Sequence, residues 1–171
     1  MKIIEEIKNW KGKPKELITF LTKSVKDDKK LFAQLVECLK IGSAVEKGIC
    51  GEVMKYVTED NPEFSLPYID TIIEHINDEV PKVKWETARV VGNVARKFPE
   101  KVSKAVPKIL SNTKDSGTVT RWCAAYALTE IAKNNLKSRN ELLPKILEIV
   151  KKEKNNGVKN VYLKALKIIK K

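Results

Sequence analysis

The chain has 171 residues, with 34 lysines and arginines against 22 aspartates and glutamates, for a net charge of +12. Its longest stretch without a charged residue covers only residues 122–129, whereas a membrane-spanning helix needs about 20 apolar residues, so no membrane span is expected. Glu5 and Glu6 interrupt the start of the chain, which argues against a secretory signal.

The first forty residues predict short helices that cap the rest of the chain. Apolar residues recur at helical spacing in residues 3–7, and again in residues 17–21 after Pro14. A third helix is expected in residues 31–39. Residues 1–42 are therefore predicted to form degenerate N-terminal capping helices, because end repeats are commonly atypical.

Residues 43–171 repeat with a period of 37 or 38. A shift of 37 places Trp85 on Trp122 and Ala88 on Ala125, and a further shift of 38 places Leu128 on Leu166. Apolar positions three and four residues apart within each unit are typical of a helix buried along one stripe. Two helices and two turns account for each period. The sequence thus predicts an all-α chain of ten helices in five pairs.

Start signals mark several helices. Pro62, Pro81 and Pro99 each follow a turn and are expected in a first helical turn, with Asn61 as a cap before Pro62. Residues 138–141, Ser-Arg-Asn-Glu, have the pattern of a capping box.

Two features of the repeats resemble a known family. The first helices contain an internal proline, and the turn within each repeat carries an acid followed six residues later by a base. The prolines are Pro67, Pro107 and Pro144, and the acid and base pairs are Asp78 with Lys84, Asp115 with Arg121, and Glu153 with Lys159. With the second helices over residues 83–92 and 120–128, these features resemble the HEAT-repeat family of HEAT-like and armadillo-type α-solenoids.

The resemblance covers roughly residues 43–171, and it implies a right-handed α-α superhelix that forms a single domain over residues 1–171. In the first unit, Lys40 and Glu46 occupy the acid and base positions with the charges reversed. The acids of the turns, Asp78, Asp115 and Glu153, are expected to stabilise the turns and the starts of the second helices, where free backbone N–H groups favour a carboxylate.

No catalytic or metal-binding constellation is evident. His75, the single histidine, falls outside the apolar stripe of its helix and is expected to face solvent. The three cysteines, Cys38, Cys50 and Cys123, contain no Cys-x-x-Cys pair, and Cys50 and Cys123 occupy small-residue positions that suit packing. We expect no cofactor, no metal and no catalytic residue. An odd number of scattered cysteines also favours the reducing environment of the cytoplasm.

The second helices carry a row of basic and aromatic residues away from their apolar stripe. Trp85 with Arg89, and Trp122 with Tyr126, are four residues apart and therefore neighbours on one helix face. Four lysines, one arginine and one asparagine continue the row, which Glu130 interrupts: Lys47, Lys55, Arg96, Lys133, Asn160 and Lys164. In an array that resembles HEAT repeats, this row would line the concave groove. The alternative for both tryptophans is burial in the seam between repeats.

Three functions are compatible with these residues. The first is a non-enzymatic binding or scaffold module that docks a protein, peptide or acidic partner in the concave groove, with nucleic acid bound only non-specifically. The alternative is a DNA-binding protein similar to the HEAT-like alkylpurine DNA glycosylases, whose aromatic and basic groove residues this chain matches in kind. The carboxylate of those enzymes is not matched, because Asp70, Asp78 and Asp115 fall on first helices or turns, and only Glu86 and Glu130 lie on second helices near the tryptophans. A HEAT-like lyase is a third possibility without residue support.

Overall fold

The structure is a computed structural model that describes residues 1–170, so Lys171, the last residue of the predicted domain, lies outside it. Within that range there are eleven α-helices and no strand, which confirms the all-α prediction. The helices are α1 Ile3–Asn9, α2 Pro14–Asp27, α3 Phe32–Ile41, α4 Ala44–Asp60, α5 Ile69–Glu74, α6 Pro81–Val94, α7 Pro99–Ser103, α8 Val106–Asn112, α9 Thr118–Asn134, α10 Leu136–Lys152 and α11 Asn156–Ile169. Short 3₁₀ segments cover Lys29–Leu31 and Pro62–Tyr68. Among residues 1–170, no helix combines the length and the apolar character needed to cross a membrane.

The helices form five successive units in two layers. The second helix of each unit packs against the second helix of the next, so that α2, α4, α6, α9 and α11 make one layer. The first helices make the other layer, in which α1 contacts α3 and α5 contacts α7. The five pairs are as predicted, but the fourth first helix is divided into α7 and α8, which raises the number of α-helices to eleven.

Small and branched residues hold the second helices close together. In α6, Val83, Val90 and Val94 are fully buried, and in α9 Ala124 and Ala127 are fully buried at the contact with neighbouring helices. Short side chains allow two helix axes to approach, and each fully buried valine contributes about 1.5–3 kcal/mol relative to an exposed one. The second-helix layer is therefore the more tightly packed part of the molecule.

The prolines act differently from one repeat to the next. Only Pro144 lies inside an α-helix, since Pro67 belongs to a 3₁₀ segment and Pro107 lies in the first turn of α8. Proline lacks an N–H and clashes with the preceding turn, so two of the three prolines begin or precede a new helix instead of bending one. The prediction of an internal proline that bends each first helix is therefore confirmed for Pro144, whereas Pro67 lies in the 3₁₀ segment before α5 and Pro107 lies in the first turn of α8.

The predicted capping box at residues 138–141 is also wrong. Helix α10 begins earlier, at Leu136, and its cap is Asn135, whose Oδ1 accepts a hydrogen bond of 3.0 Å from the Ser138 N–H. An Asn side chain is as good a cap as Ser, and it precedes the serine in the chain. Asn61 makes no side-chain cap bond, whereas Pro62, Pro81 and Pro99 occupy first turns as predicted.

The acids of the turns do stabilise those turns. Asp78, Asp115 and Glu153 each accept a hydrogen bond from the backbone N–H two residues later, at 2.9, 2.8 and 2.8 Å. Such a bond closes the turn just before the second helix begins, although the helix caps themselves are other residues.

The bases join neighbouring repeats, a partnership that the spacing within one repeat does not reveal. Two of the bases lie near the acid of the following repeat, Lys84 with Asp115 at 3.0 Å and Arg121 with Glu153 at 3.0 Å. In the first unit Lys47, next to the base position held by Glu46, lies 3.9 Å from Asp78 in the same way. We call these three ion pairs the inter-repeat ladder. It fixes the position of each second helix against the next turn.

Candidate functional site

Arg89, Trp122 and Tyr126 form a cluster between α6 and α9, which we call the aromatic cluster. The guanidinium carbon of Arg89 lies 5.2 Å from the centroid of the Trp122 ring and 5.4 Å from that of Tyr126. The two rings are nearly parallel, with centroids 6.1 Å apart. A guanidinium over aromatic faces is a cation–π arrangement that holds the arginine in one orientation. All three side chains are half-buried.

The Tyr126 ring packs against Gly92 of helix α6. Gly92 has no side chain where the ring lies, and the Tyr126 hydroxyl donates a hydrogen bond of 2.6 Å to Asn93 Oδ1. Burial raises the pKa of Tyr126 to about 12, so the hydroxyl remains protonated and able to donate. Arg89 Nε is buried and has no hydrogen-bond partner among residues 1–170. The cluster therefore holds a positioned arginine with unused hydrogen-bonding capacity.

Trp85 takes part in the seam between repeats. Its indole N–H donates a hydrogen bond of 3.0 Å to the Thr120 hydroxyl at the start of α9, and its ring packs against the core. The equivalent Trp122 also packs against the core, but its ring lies beside Arg89 and Tyr126. The two tryptophans thus occupy equivalent positions in the repeat but make different contacts.

Lys55 and Glu86 form a buried ion pair next to the aromatic cluster. Their charged groups lie 3.8 Å apart, and Lys55 Nζ also lies 3.7 Å from the centroid of the Tyr56 ring. Burial raises the pKa of Glu86 above its usual value, opposed by the nearby charge of Lys55. Each residue exposes only 7 % of its surface, so Lys55 presents little charge to a partner.

The other predicted site residues are more dispersed. Lys47 belongs to the inter-repeat ladder, and Lys133 pairs with Glu130 at 2.7 Å. Arg96 and Lys164 are exposed, and among residues 1–170 neither has a carboxylate within 4.0 Å. The structure thus brings Arg89, Trp122 and Tyr126 together in the aromatic cluster. Of the other predicted site residues, three lysines form ion pairs, namely Lys47, Lys55 and Lys133. Arg96 and Lys164 remain on the surface.

His75 does not face solvent as expected. It is half-buried at the end of α5, where its Nδ1 lies 3.0 Å from Asp78 Oδ2. Burial alone would raise the pKa of Asp78, but the contacts with His75, the Val80 N–H and Lys47 hold that pKa below its usual value. His75 therefore supports the turn of its repeat. The prediction that Cys50 and Cys123 pack in the core is confirmed, since both are buried.

Comparison with known proteins identifies the fold. No family model matches this chain, and no curated protein matches it. Among solved structures, the crystal structure of an engineered protein aligns with a TM-score of 0.73 at 16% sequence identity, covering 91% of this chain and 72% of that one. A designed armadillo repeat protein in complex with the peptide (KR)4 aligns with a TM-score of 0.68 at 15% identity, covering 89% of this chain and 73% of that one. The fold is that of a HEAT/armadillo-like α-solenoid.

Sequence reasoning missed two residues of this α-solenoid that organise the aromatic cluster. Asn93 donates to the Lys55 carbonyl at 3.0 Å and to the Thr58 hydroxyl at 3.1 Å while it accepts from Tyr126, so it connects three successive second helices. Gly92 admits the Tyr126 ring. The available signal was a Gly-Asn pair inside a helix that is otherwise rich in valine, because both residues are poor helix formers.

Proposed function

We propose that this α-solenoid is a non-enzymatic binding module that holds an acidic segment of a partner protein or peptide across its second helices. The observation that carries the proposal is the aromatic cluster of Arg89, Trp122 and Tyr126, in which a fixed guanidinium lies beside two partly exposed rings. Tryptophan, tyrosine and arginine are the residue types that most often supply binding energy at protein interfaces.

The cluster is held in place before any partner arrives. Gly92 and Asn93 fix the Tyr126 ring, and the parallel Trp122 and Tyr126 rings fix Arg89. A preorganised anchor binds more tightly because little side-chain freedom is lost on association.

The charge on the surrounding surface favours an acidic partner. Arg96, just after α6, and Lys164, in α11, are exposed on the second-helix layer, and such rim charges raise the association rate of a partner with opposite charge. The designed armadillo repeat protein was solved with (KR)4, a basic peptide. We propose the opposite ligand charge for this chain. The proposal also places the module in the cytoplasm, where free thiols such as those of Cys38, Cys50 and Cys123 persist.

A pull-down from native extract, run with and without nuclease, provides the partner for the decisive test. Replacing Arg89 and Trp122 together by Ala is expected to weaken binding to that partner by roughly 2 kcal/mol or more, because hot-spot anchors dominate affinity. Lys170→Ala, an exposed change at the end of α11, serves as the control and is expected to leave affinity unchanged.

Stability must be measured on the same proteins, because Trp122 also packs against the core. Arg89→Lys keeps the charge but removes the planar guanidinium, and it is expected to weaken binding with the melting temperature unchanged. Full binding by Arg89→Lys, or an equal loss in Lys170→Ala, contradicts the proposal. Tight binding to a duplex with an alkylated base at about 0.15 M salt would favour the DNA-binding alternative, since weak surface contacts are screened there.

A further inference from the structure

Two asparagines bridge the third and fourth repeats on the first-helix side. Asn77, in the turn after α5, donates to the Lys108 carbonyl at 3.0 Å and to Asn112 Oδ1 at 2.9 Å, both in α8. Asn112 in turn donates to the Ile76 carbonyl at 2.8 Å. We call this pair of residues the Asn clasp. It ties the end of one first helix to the next first helix.

The following repeat lacks the clasp. A shift of 37 residues, the period of the repeat, places Asn77 on Lys114 and Asn112 on Ile149. Neither lysine nor isoleucine can reproduce the paired amide hydrogen bonds, because lysine has no acceptor and isoleucine has no polar group. The seam between α8 and α10 is thus built without the bridge that joins the preceding repeats.

An open groove of about 850 Å³ lies at this position, which we call the first-helix groove. Its volume falls within the range of about 300–1,000 Å³ that is typical of ligand pockets. Its lining residues come from α8, α10, the turns that follow these two helices and the start of α9, and they include Leu110, Lys114, Arg121, Lys145, Ile149 and Lys154. Five of these are the repeat equivalents of residues in and around the clasp, namely Thr113, Lys114, Lys145, Glu148 and Ile149.

The groove combines apolar surface with uncompensated positive charge. Leu110 and Ile149 are partly buried and pack against the core. The three carboxylates in the lining are already paired: Asp115 with Lys84, Glu148 with Lys152, and Glu153 with Arg121. The three remaining lysines, Lys114, Lys145 and Lys154, are exposed, and within residues 1–170 none has a carboxylate within 4.0 Å.

We propose that the first-helix groove binds an acidic peptide segment that carries a large apolar side chain. The apolar side chain lies against Leu110 and Ile149, and the peptide's carboxylates face Lys114, Lys145 and Lys154. Burial of the apolar group supplies affinity, whereas the exposed lysines chiefly set the association rate and the salt dependence. This site shares no residue with the aromatic cluster, so the proposal does not depend on the function proposed above.

The same charges argue against two other occupants. A second copy of the chain would bring two basic surfaces together, since residues 133–171 contain 12 bases and only 3 acids. A nucleic acid backbone offers no apolar group for Leu110 and Ile149, and the carboxylates of Glu148 and Glu153 lie among the groove lysines.

Fluorescence anisotropy with a labelled peptide of glutamates around a central phenylalanine tests the proposal. Lys114→Asn with Ile149→Asn rebuilds the clasp at the open seam, and it is expected to weaken peptide binding about tenfold because the apolar floor is lost and the groove closes. Lys145→Glu with Lys154→Glu is expected to weaken binding by a similar factor of about ten at low salt and less at 0.5 M salt, as screening reduces the charge effect. The matched control is Lys151→Glu, an exposed change in α10 outside the groove lining, with an expected change of less than about twofold.

Each result decides the proposal. Selective loss in the two groove variants, with Lys151→Glu unaffected, supports it. It is overturned if the wild-type protein does not bind the peptide, if Lys151→Glu loses as much affinity as the groove variants, or if the rebuilt clasp binds normally. An oligonucleotide arm tests the rival ligand. If a single-stranded oligonucleotide displaces the labelled peptide at a lower concentration than the unlabelled peptide does, the proposal is overturned in favour of nucleic acid.

If the clasp variant melts at a lower temperature than wild type, Ile149→Glu provides the same test, because a glutamate in the apolar floor repels the peptide's carboxylates.

Discussion

Gly92 determines where the Tyr126 ring lies. A Cβ atom at this position would come within 2.7 Å of Tyr126 Cδ1, well inside ordinary van der Waals contact. The backbone of α6 is regular there, so glycine is needed for close approach and not for an unusual dihedral angle. The Tyr126 hydroxyl bond to Asn93 then fixes the other end of the side chain.

Gly92→Ala is expected to destabilise the protein by about 1–3 kcal/mol, the usual cost of overpacking, despite the better helix propensity of alanine. Urea unfolding followed by circular dichroism measures the change. Gly48→Ala is the matched control, because the added methyl there meets only the flexible side chain of Lys82 at 3.1 Å. The control is expected to be neutral or more stable. Equal stability of Gly92→Ala and wild type would show that the ring has another position available.

At the scale of helices and turns, the repeat period made the second-helix layer predictable. A shift of 37 residues and a spacing of four along a helix place Arg89, Trp122 and Tyr126 on neighbouring faces, which is how the structure arranges them. The partners of the turn acids were not predictable in the same way. Spacing within a repeat suggested Asp115 with Arg121, whereas the distance between adjacent repeats decides that Asp115 pairs with Lys84.

The remaining differences also arise from packing over long sequence distances. The hydrogen bond from Trp85 to Thr120 depends on how far α6 lies from the start of α9, and a single repeat holds no information about that distance. The burial of Lys55 against Glu86 likewise depends on the approach of α4 to α6. Local signals also compete, as when Asn135 caps α10 ahead of Ser138.

Asp115 is expected to stabilise its turn in a pH-dependent way. The Gly117 N–H, and then Lys84, hold the pKa of this carboxyl below its usual value. The stabilisation is therefore fully present above the unfolded pKa of about 3.9, and it is lost as the pH falls further through the folded pKa. Asp115→Ala should cost roughly 1–2 kcal/mol at neutral pH, as for a lost charged hydrogen bond.

Urea unfolding of wild type and Asp115→Ala at neutral pH and near pH 3 tests this expectation. The difference between the two proteins should shrink at the lower pH, which lies below the unfolded pKa of about 3.9. Asp115→Asn, which keeps an oxygen acceptor for the Gly117 N–H but loses the charge facing Lys84, should fall between them. A difference that is the same at both pH values would assign the effect to the shape of the side chain and not to its charge.

Across the whole molecule, positive charge increases toward the C-terminal end. Residues 1–60 hold 12 bases and 10 acids, whereas residues 133–171 hold 12 bases and 3 acids. Of the 34 bases in the chain only four are arginines, Arg89, Arg96, Arg121 and Arg139. Arg121 and Arg139 already donate hydrogen bonds to groups within the protein. Few guanidinium groups are therefore left to form paired hydrogen bonds with a base edge or a phosphate.

Nucleic acid binding is therefore expected to be weak, independent of sequence and confined to low salt. Lysines neutralise phosphates without reading bases, so the affinity should fall steeply as salt rises toward about 0.15 M. Anisotropy titrations of labelled duplexes of unrelated sequence, repeated at several salt concentrations, measure both properties. A strong preference for one duplex at the highest salt would show base recognition that the exposed lysines do not explain.

The inter-repeat ladder has a mechanical consequence. Two of its ion pairs, Lys84 with Asp115 and Arg121 with Glu153, join residues 31 and 32 positions apart, and each bridges two neighbouring repeats. A pulling force applied to the two ends loads these bridges in series, so the protein should yield one repeat at a time. Each repeat that unfolds after its ion pair breaks releases a contour length of roughly 100 Å, at about 3.3–3.6 Å per residue. The molecule would then lengthen in discrete steps under load, one step for each repeat.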